Sequence, residues 1–281
     1  MKVGILGAGQ LARMIALAGY PLGLDFIFLD PSEDACANQL GEHLHGDYSD
    51  PVLLAQLADH ADVVTYEFEN VPAQVPSYLA DHTKVYPPAK ALEIAQDRWV
   101  EKNFFQELGI PMPPFALVDS FEGLATAMPS LSYPAILKTR TQGYDGKGQA
   151  LLKSEADLKP AWKNVQGLPA IVEAFVPFNR EVSIIAARSV SGEAKFYPLS
   201  ENLHQGGILR VAECRANDPM QAQAEDYISR LLNALDYVGV LALELFEVEG
   251  QLIANEFAPR VHNSGHWTIE GAETSQFENH L

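Results

Sequence analysis

Glu244 and Glu256 interrupt two segments that are otherwise apolar, VLALELF and LIANEFA. A carboxylate among apolar neighbours needs a partner, because burying a lone charge is costly. Residues 240–248 and 252–257 read as two strands joined across Glu249-Gly250. A loop of roughly three residues, with Gly250 left-handed, sets Glu244 opposite Glu256. Two facing carboxylates repel unless a cation lies between them. Mg²⁺ takes one or two carboxylates and fills its shell with phosphate oxygens, so it suits the pair. Glutamates that face solvent or pair with Lys or Arg are the structural alternative.

Arg260, His262, Asn263, Ser264 and His266 follow directly. Such a group can hold a small planar anion and stabilise charge on a tetrahedral intermediate. A Ser/His nucleophilic site is the alternative, but the sequence places no carboxylate nearby to orient the histidine. Upstream, Lys138 ends the apolar run AILK, where its charge suits a phosphate. Gly143-Tyr144-Asp145-Gly146-Lys147-Gly148-Gln149 sets three glycines around a lysine. Backbone N–H groups of such a loop can fold over phosphate oxygens. Residues 171–176, with Glu173, Ala174, Phe175 and Val176, read as a strand entering a linker against which an adenine would sit. Glu181 could take the ribose hydroxyls.

Gly7-Ala8-Gly9-Gln10-Leu11-Ala12 matches G-x-G-x-x-A, and Asp30 ends the second strand. That pattern is compatible with an NAD(P)-binding oxidoreductase. Glycine also lets a backbone approach any phosphate at a helix N-terminus, or simply serves strand-to-helix packing. The second half carries phosphate and metal chemistry instead of residues for hydride transfer.

These groups need elements to position them. Strands at 2–6, 26–29, 63–68 and 83–86 alternate with helices at 10–18, 51–58 and 76–81. Asp50 is the N-cap of the second helix and Pro51 its first residue. That order predicts a parallel, doubly wound α/β sheet. A helix over 97–108 closes at Gly109 and is followed by the boundary-like Pro111-Met112-Pro113-Pro114. Strands then fall at 133–139, 149–153 and 170–175, a hairpin at 181–188 and 193–198, and a helix at 220–235. The second half is therefore α+β.

The chain has 281 residues, 47% of them apolar, with 19 basic against 37 acidic side chains and a net charge of -18. A surface so acidic repels nucleic acid and anionic lipid, which leaves small molecules as expected partners. Cys36 and Cys214 have neither disulfide nor zinc spacing. The first residues read as a strand and not a signal peptide, and the apolar stretch 11–24 is broken by Arg13, Gly19, Pro21 and Gly23. A cytoplasmic protein with no membrane span is expected.

The order of glycine turn, strand lysine, GYDGKGQ, EAFV and two hairpin glutamates resembles the ATP-grasp superfamily over the whole chain. TYEFENVP at 65–72, GYDGKGQ at 143–149, ENLHQGGILR at 201–210 and NEFAPRVHNSGHWTIEGAETSQFENHL at 255–281 are similar to the 5-(carboxyamino)imidazole ribonucleotide synthase family. The resemblance implies a Rossmann-like domain over 1–96, a small ATP-grasp lobe with a glycine-rich lid over 97–172, and a large lobe over 173–281. It implies a ligase that joins bicarbonate to 5-aminoimidazole ribonucleotide through carboxyphosphate, using ATP and Mg²⁺, in a homodimer.

By motif, Arg98 and Lys138 would contact ATP phosphates beside the 143–149 loop. Glu173, Val176 and Glu181 would hold adenine and ribose, with His204 and Asn255 near the nucleotide. Glu244 and Glu256 would bind Mg²⁺. Arg260, His262, Asn263 and Lys147 would form the catalytic group around bicarbonate and carboxyphosphate. Tyr144, Asp145 and Lys147 would face the aminoimidazole, while Gly9, Gln10, Leu11 and Glu67 would meet the ribose phosphate side. Two departures stand out. Many ATP-grasp relatives carry a metal-binding Asn where this chain has Ala258. Family members also continue past residue 281, with a small domain that adds basic residues to the substrate phosphate site. A formate-dependent glycinamide ribonucleotide transformylase is the neighbouring reading, which formate in place of bicarbonate would separate.

Overall fold

The computed structural model describes residues 1–141, 143 and 148–281. The chain opens with β1 (Lys2–Leu6), α1 (Gln10–Gly19), β2 (Asp25–Asp30), β3 (Glu42–His45), α2 (Pro51–His60), β4 (Val63–Tyr66) and α3 (Gln74–Ala80). The four strands pair in parallel in the order β3-β2-β1-β4. Asp50 caps α2, accepting from the Val52 and Leu53 N–H groups, as its place before Pro51 predicts. The expected strand at 83–86 is a correction. It makes a single bridge, Val85 to Val64, and the fourth strand of the sheet is β3. That segment reads Glu-His-Leu-His and buries only Leu44. It lies at the sheet edge, so it needs no continuous apolar run.

α4 (Ala89–Ala95) and α5 (Arg98–Glu107) lead to a second sheet of β5 (Phe115–Val118), β6 (Ala135–Thr139), β7 (Gln149–Leu152) and β8 (Ala170–Ala174). Its order is β5-β8-β6-β7, all antiparallel. α6 (Phe121–Leu131) and α7 (Leu158–Asn164) cover its core. The third sheet holds β9 (Arg180–Arg188), β10 (Ala194–Phe196), β11 (Ser200–Gln205), β12 (Ile208–Cys214), β13 (Gly239–Val248) and β14 (Gln251–Ala258). It runs β12-β11-β9-β13-β14, with β10 beside β9. α8 (Gln221–Ala234) lies on one face through Ala224, Tyr227, Ile228, Leu231 and Leu232, the spacing of one helical stripe. α1 and the first sheet share a core with the other face, where Ile5 and Phe28 join Ile185, Val240 and Phe277. Two short helices, α9 (Thr268–Gly271) and α10 (Gln276–His280), complete the order. No helix among the described residues is long and apolar enough to cross a membrane.

The glycine turn after β1 is closed by the protein's own carboxylates. Gly9 N–H donates to Glu67 Oε1, and Ala12 N–H donates to Glu67 Oε2 at 2.8 Å. Ala8 N–H donates to Asp30 Oδ2 at 2.9 Å, an oxygen that also accepts from the Tyr48 hydroxyl. A Cβ on Gly7 or Gly9 would come within 2.6 or 2.8 Å of Glu67 Oε1, so these glycines admit that side chain. Burial raises the Glu67 pKa more than the amides of Ala12 and Gly9 lower it. Gly9, Gln10 and Leu11, expected to border the substrate's ribose phosphate, thus open a helix whose first amides meet Glu67. The anion at the start of α1 is Glu67, and Asp30 is engaged in the same way.

His280 ties three elements together. Val240 N–H donates to His280 Nδ1 at 3.2 Å, so Nε2 carries the proton and donates to Thr65 Oγ1 at 2.8 Å. Burial lowers the imidazole pKa to about 4. A histidine in the unfolded chain titrates near about 6.5 and therefore binds more protons than the folded state between those values. Stability contributed by neutral His280 is complete above the upper value and falls as pH drops toward the lower, by up to ~3 kcal/mol. Thermal unfolding across that window checks this: the acid slope should flatten in His280→Leu, and an unchanged slope would place its origin elsewhere. For the turn, Glu67→Ala should lower stability by about 1–3 kcal/mol through the two freed amides. An unshifted urea midpoint would show that Glu67 does not hold the start of α1.

Candidate functional site

A cleft of about 480 Å³ lies between the second and third sheets, at the start of α5. Arg98, Lys138, Gly143, Gln149, Glu181, His204, Glu244, Asn255, Glu256, Arg260, His262 and Asn263 all line it. Residues from distant parts of the sequence thus meet on one surface. Gly148 ends the glycine-rich segment just before β7. Tyr144, Asp145, Gly146 and Lys147 lie outside the described residues.

The carboxylate pair comes about by a different route from the one expected. Glu249 and Gly250 both have positive φ, 50° and 75°, and form a two-residue turn with Val248 opposite Gln251. Continued without a break, that register would set Glu244 against Asn255. A bulge between Glu244 and Leu245 advances the partner by one residue, so Glu244 faces Glu256. Val248, Phe246 and Glu244 alternate along β13, and Phe246 lines the cleft beside Glu244.

Each charge in the cleft has a partner. His262 accepts from Ser264 N–H at Nδ1, 3.3 Å away, which leaves Nε2–H to donate to Glu244 Oε1 at 3.0 Å. Burial alone would raise the Glu244 pKa, but His262, His204 and Arg260 outweigh it and hold it below the usual carboxylate value. Arg98 donates to the Thr139 and Gly143 carbonyls at 3.1 Å each, and its guanidinium lies 3.9 Å from Glu256. His204 Nδ1 bonds Glu181, which raises the imidazole pKa. Arg260 pairs with Glu69, which the sequence reading missed, and donates to the Val261 carbonyl at 2.9 Å. Its buried Nε finds no acceptor among the described residues. A donor so placed fits a small anion.

Glu173 lies beside the cleft's lysine and not on its wall. It was expected to hold adenine or ribose, but it is 3% exposed and absent from the cleft wall. Its Oε2 lies 3.2 Å from Lys138 Nζ and 3.5 Å from Lys102 Nζ. Burial pushes its pKa up, yet the two ammonium groups hold it at about 2. Glu173 is a counter-ion beneath Lys138. Ala174, Phe175 and Val176 do not line the cleft either. Ile136, Phe178 and Phe246 supply its apolar wall, and the two phenylalanine rings stack 4.8 Å apart at 9°. Phe178 belongs to the linker singled out by sequence, three residues beyond Phe175. The stripe Arg98, Glu101, Lys102, Phe105 has the i, i+3, i+4, i+7 spacing of one helix face. That signal could have disclosed the buried Glu101 and Lys102.

Among the described residues no three His, Cys, Asp or Glu side chains gather as a metal site. Two carboxylates in register nevertheless fit Mg²⁺, which needs few protein ligands when phosphate oxygens and water complete its shell.

Comparison with known proteins bears on the whole chain. The model of the ATP-grasp domain family matches residues 103–277, and that of the ribonucleotide synthetase preATP-grasp domain matches residues 1–96. The N5-carboxyaminoimidazole ribonucleotide synthase of Pseudomonas aeruginosa is 57% identical over 100% of this chain and 78% of its own length. The crystal structure of N5-carboxyaminoimidazole ribonucleotide synthetase from Thermus thermophilus superposes with a TM-score of 0.93 at 56% identity, covering 99% of this chain and 77% of that one. The Aspergillus clavatus enzyme in complex with ADP and 5-aminoimidazole ribonucleotide gives 0.92 at 29% identity, over 100% of this chain and 75% of that one. Sequence, topology and paired carboxylates agree: the chain belongs to the N5-carboxyaminoimidazole ribonucleotide synthase family, with a preATP-grasp domain followed by an ATP-grasp domain.

Proposed function

We propose that the chain uses ATP to join bicarbonate to 5-aminoimidazole ribonucleotide, giving 5-(carboxyamino)imidazole ribonucleotide, ADP and phosphate in de novo purine biosynthesis. The observation that carries this is the convergence on one cleft of Arg98 and Lys138, the Glu244/Glu256 pair and the Arg260–His262 cluster. Bicarbonate is a poor electrophile. Attack of its oxygen on the γ-phosphorus breaks the bond to ADP and yields carboxyphosphate. The aminoimidazole nitrogen then attacks the carboxyl carbon, phosphate leaves, and the amine proton departs with it. Both steps move negative charge, so catalysis is chiefly positioning and charge stabilisation.

Arg98 and Lys138 neutralise the transferring phosphates, with Gly143 beside Arg98. Adenine packs against Ile136, Phe178 and Phe246, and Glu181 with His204 takes the ribose. Glu244 and Glu256 hold Mg²⁺, which when bound neutralises phosphate charge. Arg260, through its open Nε, orients bicarbonate with His262 and Asn263. Lys147, Tyr144 and Asp145, outside the described residues, are assigned to the aminoimidazole by motif alone, and Gln10 with Glu67 borders its ribose. Excluding water protects carboxyphosphate from hydrolysis. We take residues 1–96, 97–172 and 173–281 as the three units, working as a homodimer in the cytoplasm.

ADP release should require both 5-aminoimidazole ribonucleotide and bicarbonate. Release that ignores bicarbonate, or that accepts formate in its place, would overturn the assignment. Glu256→Gln should lower turnover by about 100-fold or more while the thermal unfolding midpoint holds. Retained turnover would remove Glu256 from the metal site.

A further inference from the structure

Glu101 and Lys102 are 2% and 1% exposed, and the chemistry above gives neither a role. They follow one another on α5 and reach the outer edge of β14, where no further strand pairs among the described residues. Phe257 N–H donates to Glu101 Oε1 at 2.7 Å, and Lys102 Nζ donates to the Asn255 carbonyl at 2.8 Å. Glu256 is the residue between these two anchored positions.

Asn255 is also the residue that the β13–β14 register skips. An extra residue in a bulge leaves the ladder, so its backbone groups need partners elsewhere. Lys102 supplies one. If the bulge closed, the two-residue turn would set Glu244 against Asn255, and Glu256 would move to the opposite face of the sheet. A residue that merely filled space here would be apolar, since burying an ammonium group costs more than packing a hydrocarbon. Lys102 is buried nonetheless, and Glu173 at 3.5 Å supports its charge.

We propose that Lys102 and Glu101 are positioning residues that hold the β14 bulge and so keep Glu244 facing Glu256 for a divalent cation, an inference that rests on assigning Mg²⁺ to that pair. They act through the backbone on either side of Glu256. Partners that orient a metal ligand commonly affect metal affinity or activity by about 10- to 100-fold when removed.

The test is ADP affinity of the full chain, measured by calorimetry in excess Mg²⁺ and again in EDTA. The variants are Lys102→Met, Glu101→Leu, Glu101→Gln and Glu256→Gln, each first shown to unfold cooperatively. The wild type should bind ADP more tightly with Mg²⁺, and Glu256→Gln should lose that gain. Lys102→Met and Glu101→Leu should lose about tenfold or all of it. In EDTA, Glu101→Leu should bind within about twofold of wild type, and Glu101→Gln, which keeps an acceptor for Phe257 N–H, should recover the gain. A gain that survives in Glu256→Gln would overturn the Mg²⁺ assignment itself. A gain lost in Glu256→Gln but kept in Lys102→Met and Glu101→Leu would overturn the positioning role alone. Should Lys102→Met fail to fold, the two Glu101 variants decide: equal behaviour of Leu and Gln overturns the proposal.

Discussion

A charge removed from water must be met by an opposite charge or by hydrogen bonds, and around the cleft that requirement links one residue to the next. Glu69 meets Arg260, His262 meets Glu244, Arg98 approaches Glu256, and Glu173 is shared by Lys138 and Lys102. Apart from Arg98 and Lys102 on α5, the members come from different parts of the chain. The protein is strongly acidic overall, and here Arg98, Lys138 and Arg260 stand among the carboxylates.

Buried pairs of this kind contribute little net stability, and their value lies in geometry. Glu101 shows the cost. Burial and the nearby Glu256 raise its pKa to about 8 despite Lys102 and the Phe257 amide. Burial also lowers the Lys102 pKa, with Glu173 opposing that change. Two ionisable groups are held in an unfavourable medium by a helix that also carries Arg98. α5 therefore links the cleft to the edge of the third sheet.

The glycine turn illustrates how one motif serves different ends. A strand, a glycine pair and a helix N-terminus make an anion site by geometry alone. In this chain Glu67 fills it from the end of β4, and the glycines leave room for that side chain. The motif thus closes the first domain upon itself.

Periodicity and turn chemistry made most elements legible, because short-range sterics decide them. Asp50-Pro51 marked α2, Gly109 ended α5, and Glu249-Gly250 marked the hairpin. β3 escaped notice because one buried leucine is enough at an edge. The polar hairpin of β11 and β12 escaped because its side chains alternate without an apolar run. Many of the cleft's charged residues were also legible from their types and motif order: Arg98, Lys138, Glu244, Glu256, Arg260 and His262. The ion pairs of Glu173 were not legible, because a strand glutamate looks the same whether it faces a ligand or a buried lysine. Sequence by itself determined the order of elements, the family and the residues that carry charge. Only the tertiary structure decided which charge meets which, that a bulge and not the turn sets Glu244 against Glu256, and that Glu67 closes the first turn. Those outcomes depend on contacts between residues tens to hundreds of positions apart, which no local pattern encodes.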